Sequence, residues 1–363
     1  MKIAIALGTR PEIIKMAPII RECEKRGLDF FVLHTGQHYD YTMDKIFFSE
    51  LELEPRMINL NVKSGTHAET TAKIMLGAEK VLREENPDIV LVEGDTNTVL
   101  AVSLTSVKMQ KDLGHVEAGL RSYDRRQPEE YNRIVADHVA NYLFAPTKEN
   151  KYTLISEGIP KEHIFTTGNT IVDSVQESIE IARKKSKIME TLALKRNKYF
   201  LVTSHREENV DYKERLKGIL EGLKKISDYY FMPIIFPIHP RTMRRIKEFG
   251  LENLLSEIKK LKLIEPVGFF DFLMLESNAS LVLTDSGGVV EETCILRTPC
   301  VSMRDKSDRP ESIDVGASVL SGCDPDKIFK LTQKMLEVER KWKNPFGDGK
   351  AAKRIVDIIQ NNY

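Results

Sequence analysis

Runs of four or five β-branched, aromatic and aliphatic residues, with no polar interruption, recur along the chain and constrain its architecture. Ile3-Leu7, Phe30-Leu33 and Ile89-Val92 are such runs. An apolar strand without a break has both faces buried, as in a parallel sheet covered by helices on each side. Between the first two runs, Ile13, Met16, Ala17, Ile20 and Cys23 fall on one helical face, and Gly27 follows as a stop. After the charged stretch 183–198 the alternation restarts, with Phe200-Val202, Ile234-Phe236, Leu261-Ile264 and Leu281-Leu283. Two βαβ series predict an α/β protein of two Rossmann-like doubly wound domains facing each other across a cleft. A length of 363 residues suits two domains. The boundary is expected near Gly168-Asn169-Thr170, giving an N-terminal domain over 1–168 and a C-terminal domain over 169–349. The tail 350–363 follows a Pro345-Phe346-Gly347-Asp348-Gly349 turn and reads as an amphipathic helix.

Charge and cysteine content narrow the function. Lys plus Arg and Asp plus Glu are each 54, so the formal net charge is zero. That argues against nucleic acid or an anionic membrane as partner, while leaving room for a local phosphate site. No apolar run approaches the roughly 18 residues of a membrane span. The four cysteines, Cys23, Cys294, Cys300 and Cys323, form no CxxC or other metal spacing, and four in this length make no disulfide framework. The expectation is a reduced, cytoplasmic enzyme without a metal, and Cys23 belongs to the core.

In open α/β sheets ligands gather at the carboxyl ends of the strands. After the first run come Gly8-Thr9-Arg10-Pro11-Glu12, a turn into a helix with a Thr-x-x-Glu capping pattern. The helix start and Arg10, with Lys15 a turn further on, suit a phosphate; a capped helix with surface cations explains the same residues. No G-x-G-x-x-G fingerprint is present, which counts against NAD. Asp285-Ser286-Gly287-Gly288 ends another strand and opens a helix whose free amides favour a pyrophosphate, with Glu292 placed for ribose hydroxyls. His205 stands in a turn, Thr203 to Glu208, that mirrors the one holding Arg10; His239 is a weaker candidate. His115, His138 and His163 read as structural, and the spacing of His34 and His38 is interrupted by Gly36. Asp95, Glu117 and Glu129 leave three successive elements toward one sheet edge. Each alone reads as a capping or ion-paired residue, with Arg121 or Arg133 as neighbours; together, opposite a pyrophosphate site, they point to acid/base catalysis.

These motifs occur in one order along the whole chain: Gly8-Thr9-Arg10-Pro11-Glu12 with Lys15, Gly36-Gln37-His38, Gly94-Asp95-Thr96, His115 to Arg121, Pro128-Glu129-Glu130, Thr284 to Gly288, and Arg304-Asp305 before Arg309-Pro310-Glu311. Together they closely resemble the non-hydrolysing UDP-N-acetylglucosamine 2-epimerases. The resemblance implies a glycosyltransferase B-like fold, a homodimer, a C-terminal helix crossing back to the first domain, and interconversion of UDP-GlcNAc and UDP-ManNAc for polysaccharide biosynthesis, with no cofactor. By position, Asp95, Glu117 and Glu129 become the catalytic carboxylates, with His205 assisting. Arg10, Lys15, His205, Phe272, Ser286, Gly287, Gly288, Glu292 and Arg309 become UDP-sugar contacts. Gln37 and His38 fall in a loop where some bacterial members take a second, activating UDP-GlcNAc.

The C2 hydrogen of a hexosamine has no carbonyl beside it, so direct deprotonation is prohibitive. Eliminating UDP across C1–C2 gives a glycal, and returning UDP with a proton on the opposite face inverts C2. Asp95 and Glu117 are expected to move protons, with Glu129 orienting them and His205, Arg10 and Arg309 holding the departing UDP. A hydrolysing epimerase releasing UDP and ManNAc, a sugar transferase of the same fold, and a non-catalytic nucleotide-sugar sensor are the competing expectations.

Overall fold

The computed structural model describes residues 1–36, 47–63, 65–307 and 309–363. They form two compact units, Met1–Ser174 with Phe346–Tyr363, and Val175–Pro345. The expected boundary at Gly168 lies just ahead of the helix Thr170–Lys185, which starts in the first unit and runs into the second.

The first unit holds β1 (Lys2–Leu7), β2 (Asp29–His34), β3 (Met57–Asn59), β4 (Ile89–Glu93), β5 (Asp112–Val116), β6 (Tyr142–Ala145) and β7 (Ile164–Thr166). All pair in parallel, in the order β3-β2-β1-β4-β5-β6-β7. The apolar runs are the central strands, and Ile3 to Leu7 are fully buried. Ala4, Phe31, Leu33, Val90 and Val92 pack against Ile74, Ala78 and Leu82 of the helix His67–Glu85 and Val99 and Val102 of the helix Asn97–Lys108. Each of the Val, Leu, Ile and Phe side chains contributes about 2 kcal/mol by leaving water.

The second unit repeats the plan with β8 (Phe200–Thr203), β9 (Ile234–Pro237), β10 (Leu261–Ile264), β11 (Leu281–Thr284), β12 (Cys300–Ser302) and β13 (Ser318–Leu320). Their order is β10-β9-β8-β11-β12-β13, again parallel. Phe200, Val202, Ile234, Phe236 and Leu281 meet Leu216, Ile219 and Leu223 of the helix Lys213–Tyr230. In each sheet the order reverses once beside the first strand, between β1 and β4 and between β8 and β11. The carboxyl ends of those four strands are therefore where a doubly wound sheet opens a ligand crevice.

The first helix, Arg10–Arg26, buries the expected face of Ile13, Met16, Ala17, Ile20 and Cys23, and Gly27 ends it in the left-handed conformation at φ 64°. Its start differs from the expected capping box. Thr9 makes no side-chain cap bond; Glu12 instead accepts from the Gly8 amide (3.0 Å) and the Thr96 hydroxyl (2.8 Å). Thr96 follows β4, so a long-range partner joins the local contacts of Glu12 with Thr9. The helix Ala351–Asn362 lies against this first helix, burying Ile355, Val356 and Ile359. Arg26 reaches Asp357 at 2.7 Å, and Asp173 accepts the amides of Ala351 and Ala352. All four cysteines are unbridged, and burial pushes the Cys23 thiol up to about 12, as befits a core residue. Among the described residues no helix is long and apolar enough to cross a membrane.

Candidate active site

In the first unit the ends of β1, β4 and β5 converge. At the end of β1, a Cβ on Gly8 would lie 2.1 Å from the Thr35 hydroxyl and 2.5 Å from that of Thr98, so only glycine fits. The turn there sends the first helix across the strand ends and carries Lys15 to the carboxylates. Its ammonium donates to Glu117 Oε2 at 2.5 Å and pairs with Glu93 Oε1 at 3.1 Å. Glu117 also accepts from Asn169 Nδ2 at 2.9 Å. The Glu117 backbone sits at φ 69°, a conformation that costs a non-glycine residue about 1 kcal/mol and gathers at functional sites. Glu93 closes β4 and is 2% exposed. Burial, together with the negative neighbours Glu117 and Glu12, pushes its carboxyl well above the usual range, against the pull of Lys15. Glu12 is likewise pushed up by burial, to about 7, against hydrogen bonds from Thr96 and Gly8.

Two residues beyond Glu93, Asp95 receives the Arg133 guanidinium, and its carbonyl accepts from Asn132 Nδ2 at 2.8 Å. Both partners come from the helix Pro128–Val139. Glu129, in the first turn of that helix, is exposed. Its neighbour Glu130 is buried, accepting from Ser122 N and Oγ (both 2.9 Å) and Tyr123 N (3.0 Å), with Arg133 at 3.1 Å.

A buried clamp holds these loops. His115 faces Asp137 Oδ1 through Nδ1 at 2.7 Å and the Gly94 carbonyl through Nε2 at 2.9 Å. Both partners accept, so both ring nitrogens donate and the imidazole is charged. Burial opposes that charge, but Asp137 and the Gly94 carbonyl outweigh it and raise the His115 proton affinity. Asp137 Oδ2 accepts the Gly119 amide at 3.1 Å and Arg121 at 2.7 Å, and Arg121 forks onto Glu157. His115 and Arg121 thus fix the segments bearing Asp95 and Glu117. His138 and His163 donate from Nδ1 to the backbone carbonyls of Ile134 and Asn141, and His34 Nδ1 accepts from the Gly36 amide, as structural residues do. Arg10 is exposed, its guanidinium 6.0 Å from the Phe47 ring centre. Gln37 and His38 lie outside the described residues.

In the second unit β8 and β11 end side by side, with Thr203 and Thr284 in register and their hydroxyls 2.7 Å apart. Beyond them the fully buried Asp285 carboxylate accepts from Ser204 Oγ (2.8 Å), the amides of His205 and Arg206 (3.1 and 3.2 Å) and Asn209 Nδ2 (3.2 Å). This hub pins the His205 backbone and leaves its ring 46% exposed, 6.0 Å from the His239 ring. Ser286 starts the helix Gly287–Ile295 without a side-chain cap bond, which leaves the first-turn amides open to an anion. A Cβ on Gly288 would meet only Ser286 Oγ, at 4.0 Å. Glu292 lies a turn further on; burial, together with this negative neighbour, pushes the fully buried Glu276 carboxyl well above the usual range. Arg309 Nε donates to Glu291 at 2.5 Å, and Phe272 packs on the Tyr199 and Leu201 cluster. Glu93, Asn169 and the hub role of Asp285 were missed from sequence. The one available signal was a charged residue closing an otherwise apolar run, as Glu93 does.

Two doubly wound units, one with carboxylates and the other with an open helix start at their strand-order reversals, define the glycosyltransferase B-like class. The model of the UDP-N-acetylglucosamine 2-epimerase family matches residues 21–360, and the chain belongs to that family. The UDP-N-acetylglucosamine 2-epimerase of Methanocaldococcus jannaschii is 54% identical over 361 residues, 99% of each chain. A crystal structure of the M. jannaschii UDP-GlcNAc 2-epimerase in complex with UDP-GlcNAc and UDP superposes with a TM-score of 0.90 at 53% identity, covering 99% of this chain and 100% of that one. The UDP-2,3-diacetamido-2,3-dideoxy-D-glucuronate 2-epimerase of Pseudomonas aeruginosa is 35% identical, over 99% of each chain.

Proposed function

We propose that this protein reversibly interconverts UDP-GlcNAc and UDP-ManNAc without hydrolysing them. The observation that carries the reading is the buried set Lys15, Glu93 and Glu117 beside Asp95 with Arg133, at the strand-order reversal of the first unit. A sensor or a transferase has no use for two separately held carboxylates there. The identity of 54% to the M. jannaschii enzyme, against 35% to the diacetamido-glucuronate epimerase, favours the N-acetylhexosamine as substrate.

One carboxylate takes the proton from C2 as the C1–O bond to UDP breaks; the electron pair of C2–H becomes the C1=C2 bond of the glycal. A second carboxyl then protonates C2 from the opposite face while UDP adds back to C1. Asp95 and Glu117 serve as this pair, each held by its own cation, and the exposed Glu129 orients the sugar. The amides of Gly287 and Gly288 with Ser286, and the side chains of Arg10, His205 and Arg309, hold UDP as charge builds on it, with Glu292 toward the ribose and Phe272 beside the base. Lys15, carried over as a sugar contact, acts through Glu117.

Four unbridged cysteines favour a reducing, cytoplasmic setting. A second copy of the chain is the expected partner. A mainly apolar groove of 440 Å³ lined by His67, Met75, Leu100 and Tyr131 supports such self-association, and light scattering tests it. Incubation with UDP-GlcNAc alone, followed by NMR, tests the activity. UDP-ManNAc at equilibrium with UDP-GlcNAc is the expected product mixture. UDP with free ManNAc means hydrolysis, and no turnover without an acceptor means a transferase or a sensor.

A further inference from the structure

Glu93 touches neither of the roles just assigned, yet it shares a cation with Glu117. The Lys15 ammonium lies 3.1 Å from Glu93 Oε1 and 2.5 Å from Glu117 Oε2, so one small charge draws both carboxyls close together. The side chains of Glu93 and Glu117 are 2% and 4% exposed, and that of Lys15 14%. Two ionised carboxylates drawn onto the same ammonium in a nearly dry site repel each other. Glu12, also buried and on the same helix as Lys15, adds further negative potential. Such a cluster keeps a proton rather than ionise fully.

We propose that Glu93 is a positioning residue for Glu117, the two carboxyls holding one proton between them on Lys15 so that Glu117 can present either an acid or a base to C2. With the proton on Glu93, Glu117 is a carboxylate able to accept the C2 proton. With it on Glu117, Glu117 is the acid that protonates the glycal, leaving both carboxylates ionised on Lys15 until solvent restores the proton. The charged or titratable groups facing Glu93 are Lys15 and Glu12 on the first helix and Glu117 after β5. The inference rests on the proposed epimerase reading, with Glu117 at C2.

Glu93→Gln keeps the shape and removes the shared proton. Glu117 then loses the Glu93 charge beside it on Lys15, so it is expected to ionise at lower pH. Turnover is expected to fall roughly tenfold per pH unit of that change, with KM within about threefold and the pH optimum moved down. In the free protein, 13C NMR of the Glu carboxyls should show Glu93 and Glu117 of the wild type titrating together, with one step far above the ordinary range. That step disappears in Glu93→Gln and persists in Glu93→Asp, which keeps a titrating group and carries the test if the amide variant fails to fold. An unchanged pH profile with unchanged Glu117 titration overturns the proposal, as does a fall in turnover with no movement of the profile. The NMR titration needs no substrate. Absence of UDP-GlcNAc turnover in the wild type therefore sinks the epimerase reading while the proton sharing is still decided by the spectra.

Discussion

Gly288 stands where the fold would accept a side chain, since a Cβ there meets only the Ser286 hydroxyl at 4.0 Å. Alanine would favour the helix by up to about 1 kcal/mol, so the fold itself does not require glycine there, and the proposed anion site supplies a reason for it. Gly288→Ala is expected to leave the melting temperature unchanged or raised while weakening UDP binding in calorimetry; equal affinity would reject the anion site. His205→Ala should cost about 2 kcal/mol of UDP affinity through loss of a charge-assisted contact. Its fold should survive, because Asp285 grips the His205 amide and leaves the ring nearly half exposed. Residue chemistry was legible where a group follows an apolar run directly, as Asp95 and His205 do. The grip of Asp285 was not, because β8 and β11 are neighbours in space but 81 residues apart in the chain, Phe200 ↔ Leu281 in the register. Lys15 shows the same limit: its charge was visible as suited to phosphate, but its pairing with Glu93 and Glu117 depends on the crossing of the first helix over β4 and β5.

Elements with a full apolar face announced themselves, and those at sheet edges did not. β3 and β7 are three residues long and largely half-buried, so neither period 2 nor an unbroken apolar run marks them. The start of the first helix is more than the local cap its Thr-x-x-Glu pattern implied, because Glu12 also finds Thr96 from another element. The turn after β5 holds a further element-scale dependence. His115 binds Asp137 of the helix Pro128–Val139 and the carbonyl after β4, tying three elements with one charged ring. Breaking such a buried pair should cost roughly 3 kcal/mol. Because the folded His115 binds its proton more tightly than an ordinary histidine, with an unfolded value near 6.5, its contribution is complete below about 6.5 and is lost as pH rises through the raised value. The gap in melting temperature between wild type and His115→Gln should therefore be widest below about pH 6.5 and narrow in alkaline buffer. A gap that widens with pH would show that the ring is neutral and the clamp is not an ion pair.

At the scale of the molecule, both units follow one winding scheme, and each reverses its strand order beside its first strand. The doubled series of apolar runs made that much readable from the chain, since two buried parallel sheets admit few other sequences. The placement of the candidate groups was readable too, carboxylates following strands of the first series and a glycine-opened helix following one of the second. What the runs could not convey is that Asp95 and Glu117 are held by different cations, Arg133 and Lys15, and so sit in separate electrostatic settings. Separate holders suit separate faces of C2. If one group removes the C2 proton and another delivers its replacement, the hydrogen at C2 must come from solvent. In D2O, UDP-ManNAc formed from protiated UDP-GlcNAc should carry deuterium at C2 from the first turnover, read by the loss of the C2 proton signal in NMR. Asp95→Asn and Glu117→Gln each remove one proton carrier at nearly constant shape, and each should slow epimerisation by about a hundredfold or more. One of them should still eliminate UDP slowly and then fail to reprotonate, so that UDP and the glycal accumulate. Retention of protium at C2 in the wild-type product would mean that one shielded group returns the same proton, and near-normal turnover in either variant would remove that residue from the pair.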